Sequence, residues 1–225
     1  SAETLAIFLA ADYDVVIYSS VKNQFLRLVH MIYGCVINRK KADLALIDTY
    51  STSAFYFAFI LSKFLSFFKV KYIPIIRGGS IKDRLESSPK MCHSLFYNAE
   101  INVCPSGFTE NALEMAGYKT LLIPNSIPIE NYRFNPARSF EDIALFYVRA
   151  IEKIYNPEMA IRVAKSLDEK KLKVSLGMVG PFKDNSIDDC KELVDQLALA
   201  DRITFFGRLV KAEWIEKSEA YNVFI

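Results

Sequence analysis

The sequence predicts an α/β fold built on parallel sheets and divided into two domains. Three observations carry this expectation. Short apolar runs rich in Val, Ile and Tyr recur along the chain, helical stretches separate them, and the alternation breaks once at a Pro- and Asn-containing segment near the middle. Runs that are apolar nearly throughout suit strands covered on both faces. Strands that alternate with helices pair in parallel, because a parallel neighbour is reached only through a long crossover.

Taken in order, the first half offers strands at 14–19, 43–48, 71–76, 101–104 and 119–123. Helices are expected at 22–39, 53–68, 89–99 and 107–116. The pattern then stops at Pro124-Asn125-Ser126-Ile127-Pro128, and 131–141 reads as a polar linker. A second series follows, with strands at 143–148, 173–179, 202–205 and 221–225 and helices at 157–167, 186–199 and 211–218. The boundary is expected near residue 135, giving domains 1–134 and 135–225. No internal repeat or low-complexity tract is visible.

Composition narrows the function classes. Of 225 residues 52% are hydrophobic and 13% aromatic, ample for packed cores and incompatible with a disordered tail. A net charge of +2 argues against general nucleic-acid binding. The charge is uneven, since residues 20–90 hold 12 Lys/Arg against 4 Asp/Glu. That excess suits an anionic substrate, a membrane surface or a solvated helix face. Cys35, Cys92, Cys104 and Cys190 are scattered without a CxxC, as reduced core cysteines are, and point to a cytoplasmic setting. The two histidines, His30 and His93, belong to no ligand motif, so no metal site is expected. The most apolar stretch, 54–68, contains Lys63 and is too short to span a bilayer. No signal-peptide pattern is visible at the start.

Parallel α/β sheets bind ligands at the carboxyl ends of their strands, which directs attention to the loops there. Arg77-Gly78-Gly79-Ser80 follows one strand. Paired glycines let a backbone approach a ligand or turn sharply, and Lys82 and Arg84 add charge nearby. There is no GxGxxG and no P-loop. Ser106 opens a helix as an N-cap or a substrate contact, and Asn125 marks a turn or a contact. Arg149 and Lys153 lie just past the first strand of the second half, where an anion would meet the sheet. Arg supplies a rigid fork and Lys a mobile point charge. Gly180-Pro181 and Phe206-Gly207-Arg208 repeat the sequence of strand and tight loop. No Ser/His/Asp or Cys/His set can be assembled.

The order of these signals resembles glycosyltransferase family 4. The run Asn98-Ala-Glu-Ile-Asn-Val-Cys-Pro-Ser-Gly-Phe-Thr, then Leu122-Ile-Pro-Asn-Ser-Ile, then Leu145-Phe-Tyr-Val-Arg is similar to the middle of such enzymes. Val174–Val179 with Gly180, Asp201-Arg-Ile-Thr-Phe-Phe-Gly-Arg and Ala220-Tyr-Asn-Val-Phe-Ile are similar to their following strands. Ile47-Asp-Thr-Tyr-Ser and Ile76-Arg-Gly-Gly look like bacterial members that build surface polysaccharides. The resemblance implies a GT-B fold of two Rossmann-like domains. The first would face the acceptor through Arg77, Gly78, Gly79, Ser106 and Asn125. The second would hold a nucleotide-sugar, with Arg149 and Lys153 on the phosphates and Gly180, Phe206, Gly207 and Arg208 around the nucleotide. Transfer with retention, no bound metal and no cofactor beyond the nucleotide-sugar co-substrate are implied. The acceptor would be a glycan or lipid-linked molecule, with possible peripheral membrane association and no nucleic acid. The spacing Arg149-Ala-Ile-Glu-Lys153 departs from the usual form. Family members also begin with a strand and Gly-rich loop, and continue into a helix bearing two glutamates. Neither is present, so the chain is expected to be trimmed at both ends and its second domain incomplete. The alternatives are a non-catalytic two-domain binding protein and a GT-B nucleotide-sugar epimerase, the latter needing carboxylates and histidines at its site.

Overall fold

The computed structural model describes every residue except 1, 19, 20, 22, 128, 134, 136 and 137. The chain separates into two compact units, Ser1–Ser126 and Ile127–Ile225. Each is an α/β layer structure on a parallel four-stranded sheet.

The first unit opens with helices α1 (Ala2–Leu9) and α2 (Gln24–Asn38). Then come β1 (Leu44–Thr49), α3 (Phe55–Phe67), β2 (Lys71–Ile76), α4 (Ile81–Ser87), α5 (Pro89–Phe96), β3 (Asn102–Cys104), α6 (Gly107–Met115) and β4 (Thr120–Leu122). The strands lie side by side in chain order. Ile47, Tyr72, Ile76 and Cys104 share one face and pack with Phe55, Leu61, Phe96 and Leu113 in a single core. Tyr72 donates its hydroxyl to Leu95 O at 2.8 Å, and the buried Asn102 amide donates to Phe96 O and Lys119 O at 3.1 and 2.8 Å. Those bonds let polar groups sit in the core without an unmet donor.

Three expectations need correction here. Residues 14–18 form no strand, and Ser19 lies outside the described residues. Tyr18 instead lays its ring on α2, where Gly34 leaves the room: a Cβ there would meet the ring at 2.6 Å. Its hydroxyl accepts from Asn38 Nδ2 at 3.0 Å. The first sheet is also not covered on both faces, since Leu44, Leu46 and Leu121 on the face away from the core stay exposed. All the helices that build this unit's core pack on the other face, so β1 alternates in burial rather than being buried throughout. Finally, α4 was not foreseen. Its seven residues are mostly polar, and only Ile81 is buried.

The second unit contains β5 (Ile143–Val148), α7 (Pro157–Glu169), β6 (Val174–Val179), α8 (Ser186–Gln196), β7 (Ile203–Gly207), α9 (Lys211–Ser218) and β8 (Val223–Phe224). Its sheet order is β7-β6-β5-β8. In register, Leu145, Leu176 and Ile203 face α7 and α8 and join Ile161, Ala164 and Leu193 in one core. On the opposite face Phe146 is buried under Tyr221, stacked at 4.6 Å, and Phe224. Gly177 pairs with Phe146, and a Cβ on it would fall 2.4 Å from the Tyr221 hydroxyl.

The segment expected to link the domains folds with this second unit. Arg138 donates to the carbonyls of Tyr221 and Glu219. Asn222 donates its amide to Ser139 O and Asp142 O at 2.9 and 2.7 Å and accepts from Ala144 N at 2.8 Å.

Candidate functional site

In the second unit the carboxyl ends of β5, β6 and β7 present three loops side by side. Pairing continues past the strands: Arg149 N–H donates to Val179 O, Ile151 N–H to Pro181 O, both at 3.0 Å, and Gly180 N–H to Gly207 O at 2.9 Å. Gly180 is required by this closeness, because a Cβ on it would sit 1.8 Å from Arg149 O. Gly207 adopts a φ of +68°, a conformation that favours glycine, and the Phe182 ring lies near it.

Arg149 is exposed, with its guanidinium 4.9 Å from the centre of the Tyr155 ring. That is cation–π range, and the contact steadies the group without neutralising it. Lys153 begins a short 3₁₀ turn, Lys153–Tyr155, and its N–H donates to Asp184 Oδ2 at 3.0 Å. Asn156 then takes a left-handed conformation that turns the chain into Pro157 at the start of α7. Asp184 accepts through its other oxygen from Ser186 N–H at 3.0 Å. Bonds from the Lys153 backbone and from Ser186 hold its carboxyl below the usual carboxylate value. Among the described residues, none of Arg149, Lys153 and Arg208 forms a salt bridge. The predicted Phe206 lies under Lys217, 4.4 Å from its ring centre. Beside it a hollow of about 540 Å³ is lined by Phe206, Leu209, Glu213, Glu216, Lys217 and Tyr221. A hollow of similar size at the opposite, amino edge of the sheet has its charges paired, Arg202 with Asp168 at 2.7 Å and Lys173 with Asp142. The carboxyl-edge loops keep a net positive charge, with Arg149, Lys153, Lys183 and Arg208 against Glu152 and Asp184.

The predicted residues of the first unit are arranged differently. Arg77 is paired, with Nε 2.8 Å from Asp48 Oδ1, and reaches Asn125 Oδ1 at 3.4 Å. Gly78 has φ +146° and faces the Ser51 hydroxyl, whereas Gly79 faces open space. Ser106 caps α6, its hydroxyl accepting from Thr109 N–H at 3.4 Å. The structure therefore brings Arg77, Gly78 and Asn125 together and leaves Ser106 on a separate helix start. Arg84 is locked onto Ser51 O at 2.9 and 2.6 Å and lies over Phe55. It serves the loop after β1 rather than adding free charge.

Asp48, Ser51, Tyr155 and Asp184 were missed by sequence reasoning. Asp48 carried a usable signal, a lone acid near the end of an apolar strand. Asp184 carried only its place on a loop after a strand, and its pairing with Lys153, 31 residues away, had no signal.

No protein-family model matches the chain, and no curated protein matches its sequence. Solved structures match in fold. HepE of Anabaena in complex with UDP superimposes with a TM-score of 0.69 at 12% identity, over 87% of this chain and 56% of HepE. HepE has also been solved with UDP-glucose, matched over 99% of this chain and 62% of that one, with a TM-score of 0.68 at 12% identity. A glycosyltransferase from Rickettsia africae matches at 16% identity and a TM-score of 0.60, over 98% of this chain and 61% of that one. A UDP-GlcNAc 2-epimerase from Neisseria meningitidis bound to UDP-GlcNAc matches at 12% identity and a TM-score of 0.52, over 99% of this chain and 66% of that one. The chain spans about 56–62% of the length of the HepE and Rickettsia structures. At these identities the likeness establishes the fold, the α/β architecture of GT-B proteins with two parallel sheets.

Proposed function

We propose that the chain belongs to a glycosyltransferase that moves a sugar from a nucleotide-sugar to a glycan or lipid-linked acceptor, in the making of bacterial surface polysaccharide. The observation that carries the reading is the group of unpaired cations Arg149, Lys153 and Arg208 on loops at the carboxyl edge of the second sheet. A departing nucleoside diphosphate gathers negative charge, and cations already held in place stabilise that charge without reorganising. Arg149 meets this requirement through its support on Tyr155, and Lys153 through the backbone tie to Asp184. In this reading the cations act without a bound metal or further cofactor and transfer proceeds with retention, as in family 4. The hollow beside Phe206 would take the base, with Gly180 and Gly207 keeping the backbone low beneath the nucleotide.

Arg77, Gly78, Gly79, Ser106 and Asn125 would form the acceptor side in the first unit. Part of that unit's excess charge gathers where α2 and α3 end. Arg39, Lys40, Lys41 and Lys69 are exposed there beside Phe67, which is 79% exposed, and Phe68, which lies 5.8 Å beneath Arg39. Cations with exposed aromatics suit the anionic cytoplasmic face of a membrane. Among the described residues no helix is long and apolar enough to cross one.

The epimerase reading is the weaker of the two. Both histidines sit within helices, His30 in α2 against Tyr18 and His93 in α5 stacked on Tyr97, and neither stands on a loop at a carboxyl edge. Calorimetric titration with UDP, GDP and ADP tests the main reading. Binding of at least one that is weakened by Arg149→Ala supports it. No binding of any at millimolar concentration refutes it.

A further inference from the structure

We infer that Asp184 is a positioning residue for the anion-binding loop, an inference that rests on the donor-site reading above. The loop from Arg149 to Asn156 carries two cations on eight residues, and its only regular structure is one 3₁₀ turn. Its first part is held by continued pairing. Ile151 is fully buried, donates to Pro181 O, accepts from Lys183 N–H at 3.3 Å and bridges in parallel to Phe182. Two residues further on, backbone pairing gives way to a side chain, as Asp184 takes the Lys153 N–H.

That bond has no local purpose. Asp184 could cap the start of α8 through Ser186 alone, as Asp commonly does. Its second oxygen reaches instead across to the neighbouring loop, tying the turn Lys153–Tyr155 to a helix anchored in the core by Ile187 and Cys190. Tyr155 rides on this turn, with its N–H bonded to Glu152 O and its carbonyl facing the Tyr147 hydroxyl, and its ring backs Arg149. The path from Asp184 to Arg149 is thus Lys153 backbone, turn, Tyr155 ring, guanidinium. Both bonds to Asp184 end on a charged acceptor, which strengthens them relative to neutral ones.

Electrostatics sharpens the argument. A carboxylate beside an anion site repels the anion. If Asp184 did nothing but carry charge, removing it would tighten diphosphate binding. If it positions the loop, removing it loosens binding, so the two roles predict opposite signs.

The test compares the unaltered chain with Asp184→Ala, Asp184→Asn, Arg149→Ala and the Asp184→Ala/Arg149→Ala double variant. UDP, GDP and ADP are titrated separately, and amide hydrogen exchange is followed over residues 149–156. In Asp184→Ala we expect faster exchange at Lys153 and Tyr155 and roughly tenfold weaker binding of whichever nucleotide the unaltered chain takes. Asn, which keeps one acceptor oxygen, recovers part of both effects. In the Arg149→Ala background, loss of Asp184 costs less than it does in the unaltered chain, because one of the two cations on the loop it positions is gone. Unchanged exchange, or equal or tighter nucleotide binding in Asp184→Ala, overturns the inference. A blank for the unaltered chain with all three nucleotides is a different failure: it removes the donor site itself, and the role of Asp184 falls with it.

Discussion

Replacing Gly180 with alanine tests whether the three loops of the second unit are as closely packed as described. The new Cβ would lie 1.8 Å from Arg149 O, 2.5 Å from Arg149 C and 3.0 Å from Ala150 N. All three neighbours are backbone, so no side chain can swing aside. Carbon and oxygen normally approach to about 3.3 Å, so β5 and β6 must separate at their ends by more than 1 Å. The bonds Arg149 N–H to Val179 O and Ile151 N–H to Pro181 O, each 3.0 Å, would stretch beyond useful length. Overpacking of this kind costs about 1–3 kcal/mol, and each lost hydrogen bond about 1 kcal/mol more. The expected loss is on the order of 3 kcal/mol or more. In a unit of this size 1 kcal/mol moves the midpoint by about 4–8 °C, so Tm should fall by about 12 °C or more. Gly107→Ala is the control: it begins α6 in open space and should shift Tm by no more than about 3 °C. Scanning calorimetry on both variants decides the matter. A Gly180→Ala protein melting within 2 °C of the parent would show that the loops yield freely, and that the cations on them are not held in place.

Further expectations concern other parts of the molecule. In a transfer-competent enzyme, Arg149→Ala should remove about 2–4 kcal/mol of transition-state stabilisation, read as kcat/KM, and an unchanged value would end the phosphate assignment. Burial pushes the thiols of Cys92, Cys104 and Cys190 up to about 11 from 9.0. At pH 8 their thiolate fraction is then about 100-fold below that of a free thiol, so Ellman's reagent should label them only after unfolding. The sign for stability follows from the same shift. Between pH 9 and 11 the unfolded thiols release protons that the native ones keep, so the folded state should weaken as pH rises through that window. Flotation should show the chain binding vesicles containing phosphatidylglycerol but not pure phosphatidylcholine, with Arg39→Glu/Lys40→Glu/Lys41→Glu abolishing the difference; equal binding to both would remove the membrane argument.

Much of the second unit was legible because its central strands, β5 and β6, are largely buried on both faces. A run such as Ile143–Val148 then has no competing pattern, and the end of the run places Arg149 at the sheet edge without further information. The same logic failed at 14–18, where an apolar run packs one tyrosine on a helix glycine and joins no ladder. It failed again on the first sheet, because composition cannot say which face of Leu44–Thr49 is covered. Arg77 was visible as a cation at a strand end. Its neutralisation by Asp48 was not, because the two meet only through the β1–β2 register, 29 residues apart in sequence. Asp184 shows the limit most clearly, for it meets the Lys153 N–H only because two loops 31 residues apart in sequence fold side by side.

Asn222 and Arg138 bear on how this protein can be recombined with others. A graft of the second unit that begins at Ile143, where its first strand starts, would leave behind Arg138, Ser139 and Asp142. Asn222 would lose both acceptors of its amide, and the carbonyls of Glu219 and Tyr221 would lose the donor that covers them. The residues that look like spacer are therefore a clasp for the final strand, and a transplant must bring residues 138–142 with it. The same clasp sets where a protease can divide the two halves: a cut within 138–142 severs the bonds that hold the last strand, whereas one upstream of Arg133 leaves them intact.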